Sequence, residues 1–197
     1  YNPPYPGIED FAGDWYHTGN WPHEEVSFAG KRVGVIGTGS TGIQAIPVVA
    51  EDAKHLTVFQ RTAQYTTPAR NRPASPGEQR EFNKHHDEWI HDVHHTFNAM
   101  TGYSLPTKTI HEDTPAEQRE FFENRWEIGG MPQSMLATYK GVNVDLETNT
   151  TVADFVRDKI REIVKATEIA ERLCPPTALP IGSKRPPIDP DYYDTFN

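Results

Sequence analysis

Six residues with a fixed glycine spacing, Gly37-Thr38-Gly39-Ser40-Thr41-Gly42, carry the strongest chemical signal in the sequence. They read G-x-G-x-x-G, directly after the apolar run Val33-Gly34-Val35-Ile36 and directly before an apolar stretch with helical spacing. In such a turn Gly37 permits the tight bend, Gly39 lets an anionic group approach the backbone, and Gly42 lets the helix pack closely on the strand. The N–H groups at the helix start, near Thr41 to Gln44, then face phosphates, which suits the diphosphate of a dinucleotide. A glycine-rich strand–helix turn without a ligand is the plainer alternative. The strand before, the helix after and a second strand at the right distance favour binding.

That second strand, Leu56-Thr57-Val58-Phe59, ends in Gln60-Arg61-Thr62. A site for NAD(H) usually places Asp or Glu there, to accept hydrogen bonds from the ribose hydroxyls. A carboxylate would repel a 2′-phosphate, whereas the Arg61 guanidinium can pair with it bidentately. The expected dinucleotide is therefore NADP(H). The alternative, a solvated strand-end charge, needs no ligand.

The elements that must position these groups are few. Lys31 to Gln60 is the one clear α/β stretch: a strand, a helix from about Thr41 to Ala53, and a second strand. Pro47 inside that helix removes a backbone donor and should kink or loosen it. From about Pro68 the texture turns to polar helices. Glu78 to Met100 places Phe82, His86, Trp89, Val93 and Phe97 along one helical face. Thr114-Pro115-Ala116-Glu117 is a capping box that opens a helix carrying Phe121, Phe122 and Trp126 and ending at Gly129-Gly130. Thr151-Val152-Ala153-Asp154 reads as the opening of another, with Val152, Phe155, Val156, Ile160, Ile163 and Val164 as its buried stripe. Cys174 to Pro190 is a proline-rich connector holding Lys184-Arg185. The expected fold is α/β, a Rossmann-type NADP-binding domain with an incomplete sheet and an inserted all-helical subdomain. Residues 1–30 form a linker, 31–67 the first part of the nucleotide domain, 68–173 the helical insertion, and 174–197 the return connector with the second part. Two well-supported strands are fewer than a parallel sheet normally has, and the chain does not begin with Met, so it reads as a piece of something larger.

Composition narrows the function classes. Of 197 residues 36% are hydrophobic, and the formal net charge is −9, which argues against nucleic acid or anionic lipid as general partner. No run approaches the roughly 18 apolar residues of a membrane span. Tyr1-Asn2-Pro3-Pro4-Tyr5-Pro6 has neither the charged nor the apolar region of a signal peptide. Cys174, the single cysteine, rules out an internal disulfide and a multi-thiolate metal site, and it fits a reducing, cytoplasmic location.

Upstream of the glycine turn lies Phe11-Ala12-Gly13-Asp14-Trp15-Tyr16-His17-Thr18-Gly19-Asn20-Trp21-Pro22. On composition alone it is an aromatic packing loop. Its pattern F-x-G-x-x-x-H-x-x-x-W-P, at Phe11, Gly13, His17, Trp21 and Pro22, resembles the fingerprint of the type I Baeyer–Villiger monooxygenases. The resemblance continues through Val35 to Gln44 and Val58 to Thr62, then resumes at Gly182-Ser183-Lys184-Arg185 and Asp191-Tyr192-Tyr193. The phenylacetone monooxygenase branch looks nearest. The resemblance implies an FAD- and NADPH-dependent enzyme that inserts one oxygen atom of O2 beside a ketone carbonyl, giving an ester or lactone. FAD would carry the oxygen chemistry and be held mainly by segments outside this chain. It further implies that Thr38, Gly39, Ser40, Thr41, Gly42, Ile43 and Gln44 hold the NADP diphosphate. Arg61, Thr62 and Lys184 would hold the 2′-phosphate. Arg185 would be the catalytic arginine over the flavin, a permanent charge that stabilises negative charge during oxygenation. His17 and Trp21 would belong to a linker that couples domain motions.

Other groups are weaker candidates. Five histidines fall within residues 85–95, with His91 and His95 at i, i+4. Without a third ligand or an H-e-x-x-H arrangement they read as a solvated helix face, and no metal is expected. Cys174 reads as a small buried hydrophobe. A flavin-containing N- or S-monooxygenase shares the plan but usually lacks the Trp-Pro of Trp21-Pro22. A disulfide reductase would need a redox-active cysteine pair. A non-catalytic dinucleotide-binding module is the alternative outside enzymes. The ketone, its regiochemistry and the oligomeric state are not written in the sequence.

Overall fold

The structure, a computed structural model, describes residues 5–96, 99, 104–130 and 134–197. Tyr1, Asn2, Pro3, Pro4, Phe97 and Met100, named above, lie outside the described residues. The first ordered unit is strand–helix–strand. Strand β1 (Arg32–Ile36) leads through the glycine turn into helix α1 (Ser40–Asp52), and strand β2 (His55–Phe59) returns parallel to β1. Val33 pairs with Leu56 and Val35 with Val58. These four alternate positions are half-buried, and Val35, Leu56 and Val58 pack against the core that contains Ile43 and Ile46 of α1. The other face of the pair is open: Ile36 is 66% and Phe59 57% exposed. Helix α1 runs from Ser40 to Asp52 with Pro47 inside it, so the expected disruption does not end the helix.

A second parallel pair lies outside the sequence expectation. Strand β3 (Thr67–Pro68) pairs with β4 (Ile188–Asp189). Two-residue strands have no alternation to read, and Pro68 argues against a strand by its missing N–H. Here Thr67 and Ala69 make the ladder bonds instead, their N–H groups donating to Pro187 O at 3.1 Å and Asp189 O at 2.8 Å.

Between the pairs lie helices α2 (Pro76–Lys84), α3 (His86–His95), α4 (Pro115–Ile128), α5 (Leu146–Ile163) and α6 (Thr167–Leu173). The expected continuous helix from Glu78 is two helices that meet at His85, which caps both with φ −107°. The first begins earlier, with Ser75 as N-cap and Pro76 as its first residue. Neither buries a residue, and Phe82 and Trp89 meet edge to face at 5.0 Å while remaining about two-fifths exposed. His91 and His95 stack at 4.1 Å, and among the described residues no group of three or more His, Cys, Asp or Glu side chains could hold a metal.

Helix α4 follows the expected capping box. Thr114 N donates to Glu117 Oε2 at 2.8 Å and Glu117 N to Thr114 Oγ1 at 3.4 Å. Its stop is fixed by packing as well as by conformation. Gly129 has φ +64°, and a Cβ there would stand 2.5 Å from Pro68 O. Gly130 N donates to that same oxygen at 2.8 Å. The opening of α5 differs from expectation. Asp145 is the N-cap, taking hydrogen bonds from Thr148 N at 2.8 Å and Thr148 Oγ1 at 2.6 Å. Thr151 is interior and returns its hydroxyl to Glu147 O at 3.1 Å, a back-bond open to a helical threonine. An ionised carboxylate at Asp145 outcompetes the later threonine as a cap.

The buried stripe of α5, Val152, Phe155, Val156 and Ile160, is the centre of the core. One contiguous cluster joins it to Phe122 and Trp126 of α4, to Ile43 and Ile46 of α1, and to Tyr65, Tyr192 and Tyr193. The strand–helix–strand unit and helices α4, α5 and α6 therefore share a single core, to which α2 and α3 contribute no buried residue. Among the described residues no helix is long and apolar enough to cross a membrane.

Candidate functional site

The glycine turn is built as its spacing requires. Gly37 has φ +101°, a conformation that a side chain would strain, and its N–H donates to Phe59 O at 2.9 Å, tying the turn to the end of β2. At Gly42 a Cβ would lie 2.2 Å from Gly37 O, so helix and turn touch backbone to backbone. Gly39 is different. A Cβ there would meet nothing within 4 Å, so its fold does not demand glycine, whereas a phosphate approaching this backbone would. Gly39 is also the N-cap of α1 and supplies no side-chain cap. The helical ladder opens with Ile43 N to Gly39 O at 2.9 Å, so the amides of Ser40, Thr41 and Gly42 precede it and remain available to an anion. Thr38 is buried; Ser40, Thr41 and Gln44 are exposed. Ile43 is fully buried in the core, so its part in the site is to anchor the helix.

Arg61 and Thr62 follow β2, the first exposed and the second half-buried. Lys184 and Arg185 are exposed in a loop that enters through Gly182 at φ +88° and leaves through buried Pro186 and Pro187. The fold brings this loop to the segment after Arg61. Gln64 Nε2 donates to Arg185 O at 3.2 Å, Tyr193 Oη to Gln64 O at 3.2 Å, and Thr67 N to Pro187 O at 3.1 Å. Hydrogen bonds thus tie the glycine turn to the end of β2, and the segment that follows β2 to the Lys184–Arg185 loop. Among the described residues Arg61, Lys184 and Arg185 form no ion pair. In a chain of net charge −9 these three are cations without a partner carboxylate among the described residues.

The bonds beneath this surface are buried. Tyr65 Oη donates to Leu179 O at 2.9 Å and accepts from the Arg157 guanidinium, which is 3% exposed and also pairs with Asp154. Burial raises the pKa of the Tyr65 phenol, with Arg157 opposing it. Asn149 Nδ2 donates to Val142 O at 2.7 Å and Ile181 O at 2.8 Å, while its Oδ1 accepts from Ile181 N at 3.0 Å. Asp189 accepts from Thr66 Oγ1 at 2.9 Å and from Tyr192 N; burial still pushes its carboxyl up to about 6. Gln64, Asn149 and Asp189 were not among the sequence candidates. Each acts across a long stretch of chain, and no local pattern marks such a partner.

The fingerprint residues make local contacts. A Cβ at Gly13 would stand 2.9 Å from the Phe11 ring, so the ring lies over the glycine. His17 Nδ1 accepts from Gly19 N at 3.1 Å and caps the short turn Thr18–Asn20. Trp21 lies 5.5 Å from the Tyr16 ring and 6.2 Å from Phe28, next to half-buried Pro22. Cys174 is buried, its thiol facing Arg157 O at 3.6 Å, and burial pushes its pKa up, away from a reactive thiolate.

No protein-family model matches the chain. Individual proteins do. It is 42% identical over 193 residues to cyclohexanone 1,2-monooxygenase of Acinetobacter sp, covering 97% of this chain and 34% of that protein. A Baeyer–Villiger monooxygenase of Pseudooceanicola batsensis is 38% identical over 195 residues, covering 99% and 35%. The chain is a homologue of the Baeyer–Villiger monooxygenases. It spans about a third of the length of these relatives. A phenazine N-monooxygenase of Lysobacter antibioticus is 41% identical over 99% of the chain and 35% of its own length. Among solved structures, OTEMO in complex with FAD and NADP superposes with a TM-score of 0.93 at 37% identity, covering 99% of this chain and 37% of that one. An oxidized steroid monooxygenase bound to NADP gives 0.90 at 38%, covering 100% and 37%. The Baeyer–Villiger homology and the α/β arrangement of the fold therefore agree.

Proposed function

We propose that this chain is the NADP(H)-binding portion of a flavin-dependent Baeyer–Villiger monooxygenase, folded as part of a Rossmann-type domain with a helical insertion. In this reading the amides at the start of α1 bind the diphosphate, and Arg61, Thr62 and Lys184 bind the 2′-phosphate. Arg185 is the catalytic cation. The observation that carries the reading is the α1 N-terminus, which has no side-chain cap, in a chain whose segment after Arg61 is hydrogen-bonded to the loop of Lys184 and Arg185, three cations without an ion pair among the described residues. Gly39 adds a separate support, being a glycine that the protein's own packing does not require. The donor set fits an NADP(H) molecule: backbone N–H for the diphosphate and permanent or strongly basic charges for the dianionic 2′-phosphate.

FAD, when bound, supplies the reduction of O2 and the transfer of one oxygen atom; the chain's residues supply binding, orientation and fixed charge. Hydride delivery requires the nicotinamide held in register, which is the task of both phosphate clamps. The delocalised guanidinium charge of Arg185 would stabilise negative charge at the oxygenation centre. The proposed substrates are a small-molecule ketone and O2.

The decisive experiment is product analysis with the full-length protein, NADPH and a panel of cyclic and linear ketones. Esters or lactones carrying one atom from labelled O2 support the reading. NADPH oxidation without oxygenated product from any ketone overturns it. The relation to a phenazine N-monooxygenase favours a second reading, oxygenation at a ring nitrogen. N-oxides formed from a phenazine in place of esters would establish it.

A further inference from the structure

The Lys184–Arg185 loop is exposed, yet its backbone is fixed from beneath by one buried side chain. Asn149, in the second turn of α5, is 6% exposed. It grips Ile181 twice, taking its N–H at 3.0 Å and donating to its carbonyl at 2.8 Å, as a neighbouring strand would. Its remaining proton goes to Val142 O at 2.7 Å. One acceptor and two donors are all used, and only the carboxamide orientation with nitrogen toward the two carbonyls satisfies them. Ile181 itself is 2% exposed, so side chain and peptide are both held. From this fixed point the chain turns at Gly182, where a Cβ would stand 3.1 Å from Leu136 Cδ2 and 3.4 Å from Asn143 Oδ1. Ser183 N returns to Pro180 O at 3.2 Å, and the next two residues are Lys184 and Arg185.

We propose that Asn149 is a positioning residue: it sets the direction in which the chain leaves Ile181, and so where Lys184 and Arg185 stand relative to Arg61 and the start of α1. The inference rests on the proposed function, since it assigns Asn149 to the same cofactor site. No other common side chain meets the three groups. Aspartate would turn a carboxylate toward two carbonyl oxygens, leucine would leave one N–H and two C=O groups unpaired, and glutamine is one methylene too long for a packed site.

The test uses the full-length protein with Asn149→Ala, Asn149→Asp and Val156→Ala. Val156 is a fully buried neighbour on α5 with no bond to the loop, and it controls for thermal destabilisation. In Asn149→Ala, hydrogen exchange at residues 182–185 should rise, and KM for NADPH should increase roughly tenfold or more from a small misplacement. KM for NADH should change little, because the displaced Lys184 reads the 2′-phosphate. A larger fraction of the NADPH consumed should appear as hydrogen peroxide. Val156→Ala should lower Tm without any of these changes. If Asn149→Ala does not accumulate in folded form, Asn149→Asp, which keeps the acceptor for Ile181 N–H, carries the comparison. Unchanged exchange at 182–185 overturns the proposal, as does an equal effect in Val156→Ala. If exchange rises but the NADPH-to-NADH preference stays constant, Lys184→Ala separates the causes. A shift in that variant means that Asn149 does not position the cation; no shift means that the cofactor reading itself has failed, and the proposal with it.

Discussion

Gln64 donates its side-chain amide to the carbonyl oxygen of Arg185 at 3.2 Å, across 121 positions of sequence. The bond fastens the loop of the proposed catalytic cation to the segment that begins with Arg61. The proposed phosphate clamp and the proposed catalytic charge are therefore mechanically linked, and each can be perturbed separately only by removing a side chain tip and sparing the backbone.

Arg61→Ala does that for the phosphate. It removes a guanidinium that pairs with no carboxylate among the described residues, so folding should be unaffected. In the full-length enzyme KM for NADPH should rise while NADH use stays nearly unchanged, because NADH carries no 2′-phosphate. Steady-state kinetics with both cofactors checks this, and equal losses would show that Arg61 is only a strand-end charge.

Two glycine substitutions should part company. Gly39→Ala places its methyl in open space, so Tm should hold while NADPH affinity falls. Gly42→Ala drives Cβ to 2.2 Å from Gly37 O, and the turn must move. Overpacking of that kind costs about 1–3 kcal/mol, so Tm and affinity should fall together. Thermal melts with and without NADP+ distinguish the two patterns.

Lys184 and Arg185 should have different phenotypes in spite of being neighbours. Lys184→Ala should weaken NADPH binding and leave ester formation competent at saturation. Arg185→Ala should still permit flavin reduction by NADPH but lose ester formation by about a hundredfold or more, as removal of a preorganised charge typically does. Stopped-flow reduction and product analysis decide it; near wild-type ester formation in Arg185→Ala would reduce the pair to a phosphate clamp.

Asp189 predicts a pH effect on stability. Its carboxyl is pushed up to about 6 from an ordinary value near 4, chiefly by burial. The folded state then holds a proton that the unfolded state has released between those values. Stability from this group is complete below about pH 4 and is lost as pH rises through about 6. Asp189→Asn can still accept from Tyr192 N and donate toward Thr66 Oγ1, and it cannot ionise. Melts across this range should show a smaller decline for the variant than for the wild type; parallel curves would refute the assignment.

Local features were legible in the sequence. The glycine spacing announces a turn at Gly37, Thr114 and Glu117 announce a cap, and the α5 stripe announces a core, because each depends on neighbours within a few residues. The misreadings share the opposite property. Asp145 displaced Thr151 as the cap of α5 because two plausible caps competed, and only the packed structure selects between them. The aromatic stripe from Phe82 to Trp89 had helical spacing, but spacing does not report that the helix breaks at His85. Strands β3 and β4 are too short for any periodicity. Within the site, Arg61 could be found from its place after β2, whereas Gln64 and Asn149 matter through bonds to distant backbone, which sequence neighbours do not encode.

The pairing of β3 with β4 also has a consequence in time. A ribosome that has released Arg61 must add more than a hundred residues before Lys184 emerges. At roughly 5–20 residues per second this delay is on the order of ten seconds. Throughout it the nascent chain carries the glycine turn and Arg61 without the later cations. Only when Ile188 reaches Thr67 can the two halves of the proposed nucleotide clamp meet. Vectorial synthesis thus delivers the glycine turn and Arg61 early and Lys184 and Arg185 late, so the proposed clamp stands half-built for most of the time the chain is being made.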